Sequence, residues 1–231
     1  LAPEAQVEAV IDALSERLNK VTVGDPRLKE TRMGALVSAA QKRDVLEKVA
    51  VLAEEAERVL GNPDDFTIAG EDAQQGAFLP PMLFHCADPD RATRIHDTEA
   101  FGPVSTVIGY RDLGHAVELA NRGGGSLVAS LITHDAQVAR EVTLGAAAWH
   151  GRIYINDRTS MAESTGHGAP LPHMVHGGPG RAGGGEELGG IRGVRHYMQR
   201  TAVQGSPDML GAITGRWVQG AAQTTPPAHP F

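Results

Sequence analysis

Residues 104–155 constrain the fold more tightly than any other stretch of the chain. Val104–Tyr110 is a run of apolar and β-branched residues that predicts a strand. Asp112 then stands where a helix N-cap belongs, with Leu113, Ala116, Val117 and Ala120 recurring behind it at helical spacing. Gly123–Gly125 ends that helix and Leu127–Thr133 predicts a second strand. Asp135 caps a second helix through Leu144, and Ile153–Ile155 predicts a third strand. Strand, helix, strand, helix, strand with connections this short is the pattern of parallel crossovers, because parallel neighbours need a helix-length return. The fold class read from it is α/β, built on a parallel sheet.

The flanking segments are less regular. Val7, Val10, Ile11, Leu14 and Leu18 share one helical face. A second helix is predicted from Ser38, whose hydroxyl and Gln41 form a capping box, with a stripe through Val45, Leu46, Val49, Leu52, Ala56 and Leu60 until Gly61-Asn62-Pro63. Phe66–Ala69 and Ala77–Phe84 are predicted strands. Residues 159–193 are rich in Gly, Pro, His and Ser without apolar periodicity, which marks a functional loop. Arg195–Gln204 alternates as a late strand, and Gln223–Phe231, with three prolines, reads as a linker. The domain boundaries are therefore 1–193, then a strand over 194–205, then a tail over 206–231.

Composition narrows the function classes. The chain has 231 residues, 41% of them hydrophobic, which is ample for a core; with five Phe, three Tyr and two Trp, that core is mostly aliphatic. Twenty-one basic against 28 acidic side chains give a net charge of −7, which speaks against a grip on nucleic acid or an anionic membrane surface. No apolar run approaches the ~20 residues that span a bilayer. The single cysteine, Cys86, excludes a disulfide scaffold and fits a reducing, cytoplasmic compartment.

Three motifs invite chemistry and are answered by plainer readings. Gly178-Pro-Gly180-Arg-Ala-Gly183 matches the dinucleotide-binding string, but that motif needs a strand before it and a helix after it. A Pro/His loop precedes it and two more glycines follow, so a flexible glycine loop is the better reading. Cys86 beside His85 suggests a thiolate–imidazole pair, yet neighbours on a strand point to opposite faces, and a small buried apolar residue is expected. His167, His173 and His176 share a loop but match no zinc-binding spacing, so they read as polar loop residues, some lining a pocket, rather than the ligands of a metallohydrolase.

A family resemblance takes the reading further. Glu99-Ala-Phe101-Gly102-Pro103-Val104 resembles the E-x-F-G-P-V signature of the NAD(P)-dependent aldehyde dehydrogenase superfamily. Val23-Gly24-Asp25-Pro26, Gly76–Phe84, Gly151–Asn156 and Gly183–Gly189 resemble four further landmarks in the same order. Glu163–Pro172, His176–Glu187 and His196–Gly205 are similar to a branch that acts on CoA-linked semialdehydes in aerobic phenylacetate or benzoate breakdown, some of whose members are fused to a hydratase-like domain.

The resemblance implies a cysteine nucleophile that forms a thiohemiacetal and then a thioester, hydrolysed by water that a glutamate activates. It places both residues upstream of Leu1, so no catalytic residue is expected in this chain and the chain resembles the C-terminal half of such an enzyme. Glu99 corresponds to the carboxylate that accepts from the nicotinamide-ribose hydroxyls, and Phe101 to the aromatic packing beside the nicotinamide. His167 and His173 fall where the substrate funnel is walled. NADP or NAD is the implied cofactor, with NADP favoured; no metal is expected. The implied partners are the N-terminal half of the same enzyme, a CoA-linked semialdehyde and further copies of the chain in a homo-oligomer. The competing reading is an inert C-terminal fragment that serves as an assembly or binding module.

Overall fold

A computed structural model describes residues 1–70, 76–160, 162, 174–177, 180–182, 184–186, 191, 194–195, 198 and 202–222. Strand β1 (Ala2–Pro3), a 3₁₀ turn over Glu4–Gln6 and helix α1 (Val7–Leu18) come first. Strand β2 (Val23–Gly24), helix α2 (Ala39–Leu52) and strands β3 (Glu57–Leu60), β4 (Ile68–Ala69) and β5 (Met82–Cys86) follow. The single-turn helix α3 (Arg94–Asp97) precedes strand β6 (Val104–Tyr110), which leads through α4 (Leu113–Arg122) to β7 (Ala129–Ile132). From β7 the chain runs through α5 (Ala136–Ala146) to β8 (Ile153–Asn156). Two three-residue strands, β9 (Val175–Gly177) and β10 (Gly184–Glu186), and helix α6 (Pro207–Thr214) complete the described elements. The chain divides into two units, Leu1–Gly185 and Glu186–Phe231. Among the described residues no helix is long and apolar enough to cross a membrane.

Helix starts follow the side chains that cap them. Ser38 Oγ accepts from Gln41 N at 3.1 Å, Asp112 from His115 N at 2.9 Å, and Asp135 from Gln137 N and Val138 N at 2.8 and 3.2 Å. Each satisfies donors that the first helical turn leaves open. In the second unit α6 has Ser206 at its N-cap, Pro207 in its first turn and Gly215 at φ 65° at its end, three helix-boundary signals in one short segment of the predicted tail.

The sheet of the first unit has the order β1-β6-β5-β3, with β5 and β1 parallel to β6 and β3 antiparallel to β5. β5 is buried on both faces, as a strand between two helical layers must be. Met82, Phe84 and Cys86 join Val45, Val49 and Leu52 of α2 in one cluster, while Leu83 joins Ala2, Val7 and Val107 against α1 on the other. β7 and β8 form a separate parallel pair, Ala129 opposite Ile153 through Ile132 opposite Asn156. β2 pairs in parallel with β4, and a Cβ on Gly24 would stand 2.3 Å from Ala69 O, so only glycine permits that approach.

Several predicted boundaries move. The second helix stops at Leu52, not Leu60: the chain turns after Ala56, and Glu57–Leu60 becomes β3, pairing with β5. The apolar stripe had continued at helical spacing, but Val59 and Leu60 pack against the Leu83 cluster, on the other face of the sheet from α2. The strand predicted over Ala77–Phe84 begins at Met82, because Pro80 and Pro81 offer no backbone donors to a ladder; Phe78 and Leu79 are buried without it. The strand predicted from Phe66 is only Ile68–Ala69. Of the predicted late strand, residues 196, 197 and 199–201 lie outside the described residues, and Arg195, Met198 and residues 202–204, which are described, are not in a strand.

Candidate functional site

The signature Glu99–Val104 forms the turn between α3 and β6. Its backbone is wound tightly, with Gly102 N donating to Ala100 O at 2.7 Å and Val104 N to Gly102 O at 2.8 Å. Helix α2 holds it at two positions. The Gln41 side-chain amide donates to Phe101 O at 2.7 Å, while its own oxygen accepts from Val37 N at 3.3 Å. Gly102 lies on the fully buried Val45 so closely that a Cβ would stand 2.9 Å from Val45 Cγ2. Upstream, the Glu55 carboxylate accepts from Thr93 N and Ile95 N, both at 3.0 Å, and from Thr93 Oγ1 at 3.2 Å. Burial pushes that carboxyl up, but the N–H groups of Ile95, Thr93 and Arg94 outweigh it and hold it below the usual carboxylate range.

So braced, the turn presents Glu99 and Phe101 outward. Phe101 is 70% exposed. Glu99 is exposed too and has no hydrogen-bond or ion-pair partner among the described residues, leaving its acceptors available to a ligand. Glu99 also lines a cavity of about 1270 Å³ that Phe101 does not reach. Arg181, in the 3₁₀ turn Gly180–Ala182, lines it as well and donates to Asp97 O at 2.5 Å, two residues before Glu99.

The cavity runs between β6 and β7, and its far wall carries a pair that the sequence reading missed. His150, 7% exposed, precedes β8, and Ser126 precedes β7; the hydroxyl and His150 Nδ1 are 2.8 Å apart. The one hydroxyl proton of Ser126 goes to Val128 O at 2.9 Å, so Nδ1 must carry the proton between the pair. Burial holds the imidazole below its ordinary pKa, keeping it neutral at pH 7. Its Nε2 is therefore an acceptor, buried and without a partner among the described residues. The only sequence signal was a lone histidine just before a strand.

Other sequence candidates separate from this site. Cys86 is 1% exposed within the α2-facing cluster, and desolvation pushes its thiol pKa up, which suits a core residue and not a nucleophile. His167 and His173 lie outside the described residues; among those described, no group of three metal-ligating side chains is assembled. The glycine-rich string forms a 3₁₀ turn at Gly180–Ala182 and is followed by β10 where the dinucleotide motif needs a helix. A polar cluster elsewhere ties the segment before α3 to α4. Asp90 takes Arg111, His115 Nε2 at 3.2 Å and Arg122 Nη2 at 3.3 Å. Arg111, and after it His115, hold the Asp90 carboxyl below its ordinary range.

Known proteins resemble this chain over most of its length. The model of the aldehyde dehydrogenase family matches residues 1–203. Protein MaoC of Klebsiella aerogenes is 55% identical over 200 residues, covering 86% of this chain and 58% of that protein. The 3,4-dehydroadipyl-CoA semialdehyde dehydrogenase of Aromatoleum evansii is 42% identical over 179 residues, covering 78% and 35%. Aldehyde dehydrogenase C of Pseudomonas syringae, solved with NAD+ and octanal, superposes at a TM-score of 0.68 with 28% identity, over 85% of this chain and 37% of that one. A betaine aldehyde dehydrogenase of Staphylococcus aureus shares the fold at a TM-score of 0.69 and 24% identity, over 84% of this chain and 36% of that one. The chain thus spans between about a third and three fifths of the length of these proteins.

Proposed function

The chain belongs to the aldehyde dehydrogenase family, and on that premise we propose that it is part of an oxidoreductase that converts a CoA-linked semialdehyde to the carboxylic acid with NADP or NAD. The observation that carries the substrate class is the 42% identity to a dehydroadipyl-CoA semialdehyde dehydrogenase. The degradation of phenylacetate or benzoate is the setting that such a substrate suggests.

The turn residues fit a nicotinamide cofactor. A carboxylate offers acceptors to two neighbouring hydroxyls at once, and the Glu99 carboxylate is exposed, lines the cavity and has no competing partner among the described residues. Phe101, two positions on and 70% exposed, offers a flat apolar face. When bound, the cofactor supplies the hydride acceptor. Glu99 would hold its ribose, and Gln41, Val45 and Glu55 would keep the turn from shifting. In this reading the thiol nucleophile and general base come from polypeptide outside these 231 residues, and His167 and His173 face the substrate. Residues 194–205 act between subunits, and a hydratase-like domain can be joined beyond the tail. A second reading, an assembly or binding module without activity, draws on the exposure of Met209, Ile213 and Trp217 in the second unit.

The test is steady-state kinetics of the longer enzyme that contains this chain, with a semialdehyde as its CoA thioester and as the free acid. Recognition of CoA predicts a kcat/KM preference for the thioester of about tenfold or more, about 1.4 kcal/mol of transition-state binding. Equal values would refute the CoA-linked substrate, and no nicotinamide reduction with either compound would refute the oxidoreductase.

A further inference from the structure

The glycine-rich string at 178–183 is no dinucleotide motif, yet its described part, the 3₁₀ turn Gly180–Ala182, lies where three stretches of backbone meet. The other two are the end of α3 and the residues just after α4. A Cβ on Gly123 would stand 2.6 Å from His96 O, and one on Gly180 would stand 3.1 Å from Gly124 O. Gly180 also has φ 57°, so a side chain there would meet both a left-handed backbone and a carbonyl. From this seat Arg181 reaches the Asp97 carbonyl. α3 is a single turn, closed by Thr98 N donating to Arg94 O at 2.9 Å, and a helix that ends there leaves Asp97 O without a partner of its own. Arg181 Nη2 supplies the donor. The other holds on the signature turn act elsewhere: Gln41 and Val45 at Phe101 and Gly102, after Glu99, and Glu55 at Thr93 and Ile95, well before it. Among the described residues, Arg181 is the one side chain from outside this segment that hydrogen-bonds the backbone between His96 and Glu99.

We propose that Arg181 is a positioning residue for Glu99: by holding the Asp97 carbonyl it fixes where the backbone enters the signature turn, and so where the Glu99 carboxylate stands. The inference rests on the reading of Glu99 as the ligand of the nicotinamide ribose. It gives Arg181 no contact with cofactor or substrate; the effect passes through the two peptide units from Asp97 to Glu99. A guanidinium is a planar fork of N–H donors, so it sets the direction of a bonded carbonyl as well as its distance. Small displacements of a group that orients a reactant slow a reaction manyfold, which is how a residue without a ligand contact acts on the rate. Arg181 is itself exposed, so its loss leaves the core untouched.

The experiment compares Arg181→Ala, Arg181→Lys, Glu99→Gln and the double variant Arg181→Ala/Glu99→Gln in the longer enzyme that contains this chain. Single-turnover hydride transfer is measured at saturating cofactor, and binding of the adenosine portion is probed with ADP. Arg181→Ala is expected to slow hydride transfer by about three- to tenfold, because the other holds on the turn remain. Affinity for ADP should not change. Arg181→Lys keeps a donor for Asp97 O and should restore most of the rate. Because Arg181 acts through Glu99, Arg181→Ala added to Glu99→Gln should slow the reaction no further. A slow Glu99→Gln beside a parental rate in Arg181→Ala would overturn the positioning role and leave the ribose reading standing. Additive losses in the double variant would overturn it too, by showing that Arg181 acts on a ligand directly. So would a matching loss of ADP affinity, or no rescue by Arg181→Lys. A parental rate in Glu99→Gln would overturn the ribose reading, and this inference with it, whatever Arg181→Ala does.

Discussion

The side-chain amide of Gln41 donates a 2.7 Å hydrogen bond to the carbonyl oxygen of Phe101, sixty positions further along the chain. The same side chain accepts from Val37 N at the start of α2, so one residue closes a helix end and fixes the signature turn. Gln41→Glu keeps an acceptor for Val37 N but has no donor for Phe101 O, whereas Gln41→Ala loses both. Gln41→Ala is expected to cost about 1–2 kcal/mol from two hydrogen bonds, and Gln41→Glu at least as much, because its charge faces a carbonyl oxygen. Urea midpoints with unchanged slopes check this.

Packing under the turn gives a sharper case. A methyl at Gly102 meets Val45, which is fully buried, so Gly102→Ala is expected to cost about 1–3 kcal/mol. Val45→Ala, itself destabilising, opens the space that the methyl needs. The double variant should therefore be more stable than the sum of the two single changes predicts, by about 0.5 kcal/mol or more. Strict additivity in a double-mutant cycle would show that the two side chains do not compete for space.

These two relationships show what the sequence could and could not reveal. Capping at Ser38, Asp112 and Asp135 and the alternating strands and helices from Val104 to Asn156 are local, and local periodicity disclosed them; that β6 and β7 belong to separate sheets is not local and was not disclosed. Glu99 and Phe101 stand out in the sequence because their motif is contiguous. Gln41 on Phe101, Glu55 on Thr93 and Ile95, and Ser126 on His150 join residues 24 to 60 positions apart, and no periodicity says which elements will meet. The overlong second helix has the same origin. Val45, Val49, Leu52, Ala56 and Leu60 keep helical spacing, but tertiary pairing with β5 overrides it after Ala56.

Acid should weaken the brace behind the turn. The Glu55 carboxyl lies below its ordinary range in the folded chain, while its unfolded value is about 4.3. A depressed folded pKa contributes stability that is complete above the unfolded value and is lost as pH falls through the folded one. Glu55→Gln should therefore flatten the stability profile below about pH 5, measured by urea unfolding over a pH series. A profile of unchanged slope would show that Glu55 makes no such contribution.

Cys86 supplies a test of the missing nucleophile. Its thiol is sealed in the core with a raised pKa, so a disulfide reagent should react only as the chain opens and rapidly in denaturant. Cys86→Ala should leave the kinetics of the longer enzyme intact apart from any loss of stability. Fast labelling of the native chain, or loss of turnover in Cys86→Ala at temperatures where it remains folded, would place chemistry at this residue.

The 231 residues alone should not turn over an aldehyde, and residues 194–205 should act between subunits. Met198→Pro removes a backbone donor from that segment and should shift the longer enzyme toward smaller species in light scattering. An unchanged oligomer would remove the segment from the interface.

The most direct test of the central claim is single-turnover hydride transfer in the longer enzyme carrying Glu99→Gln. Loss of a charged acceptor costs about 1.5–3 kcal/mol, so the rate should fall by roughly tenfold to a hundredfold, while affinity for the adenosine portion of the cofactor stays nearly constant. A rate equal to that of the parent would show that Glu99 does not hold the nicotinamide ribose and is only part of the turn into β6.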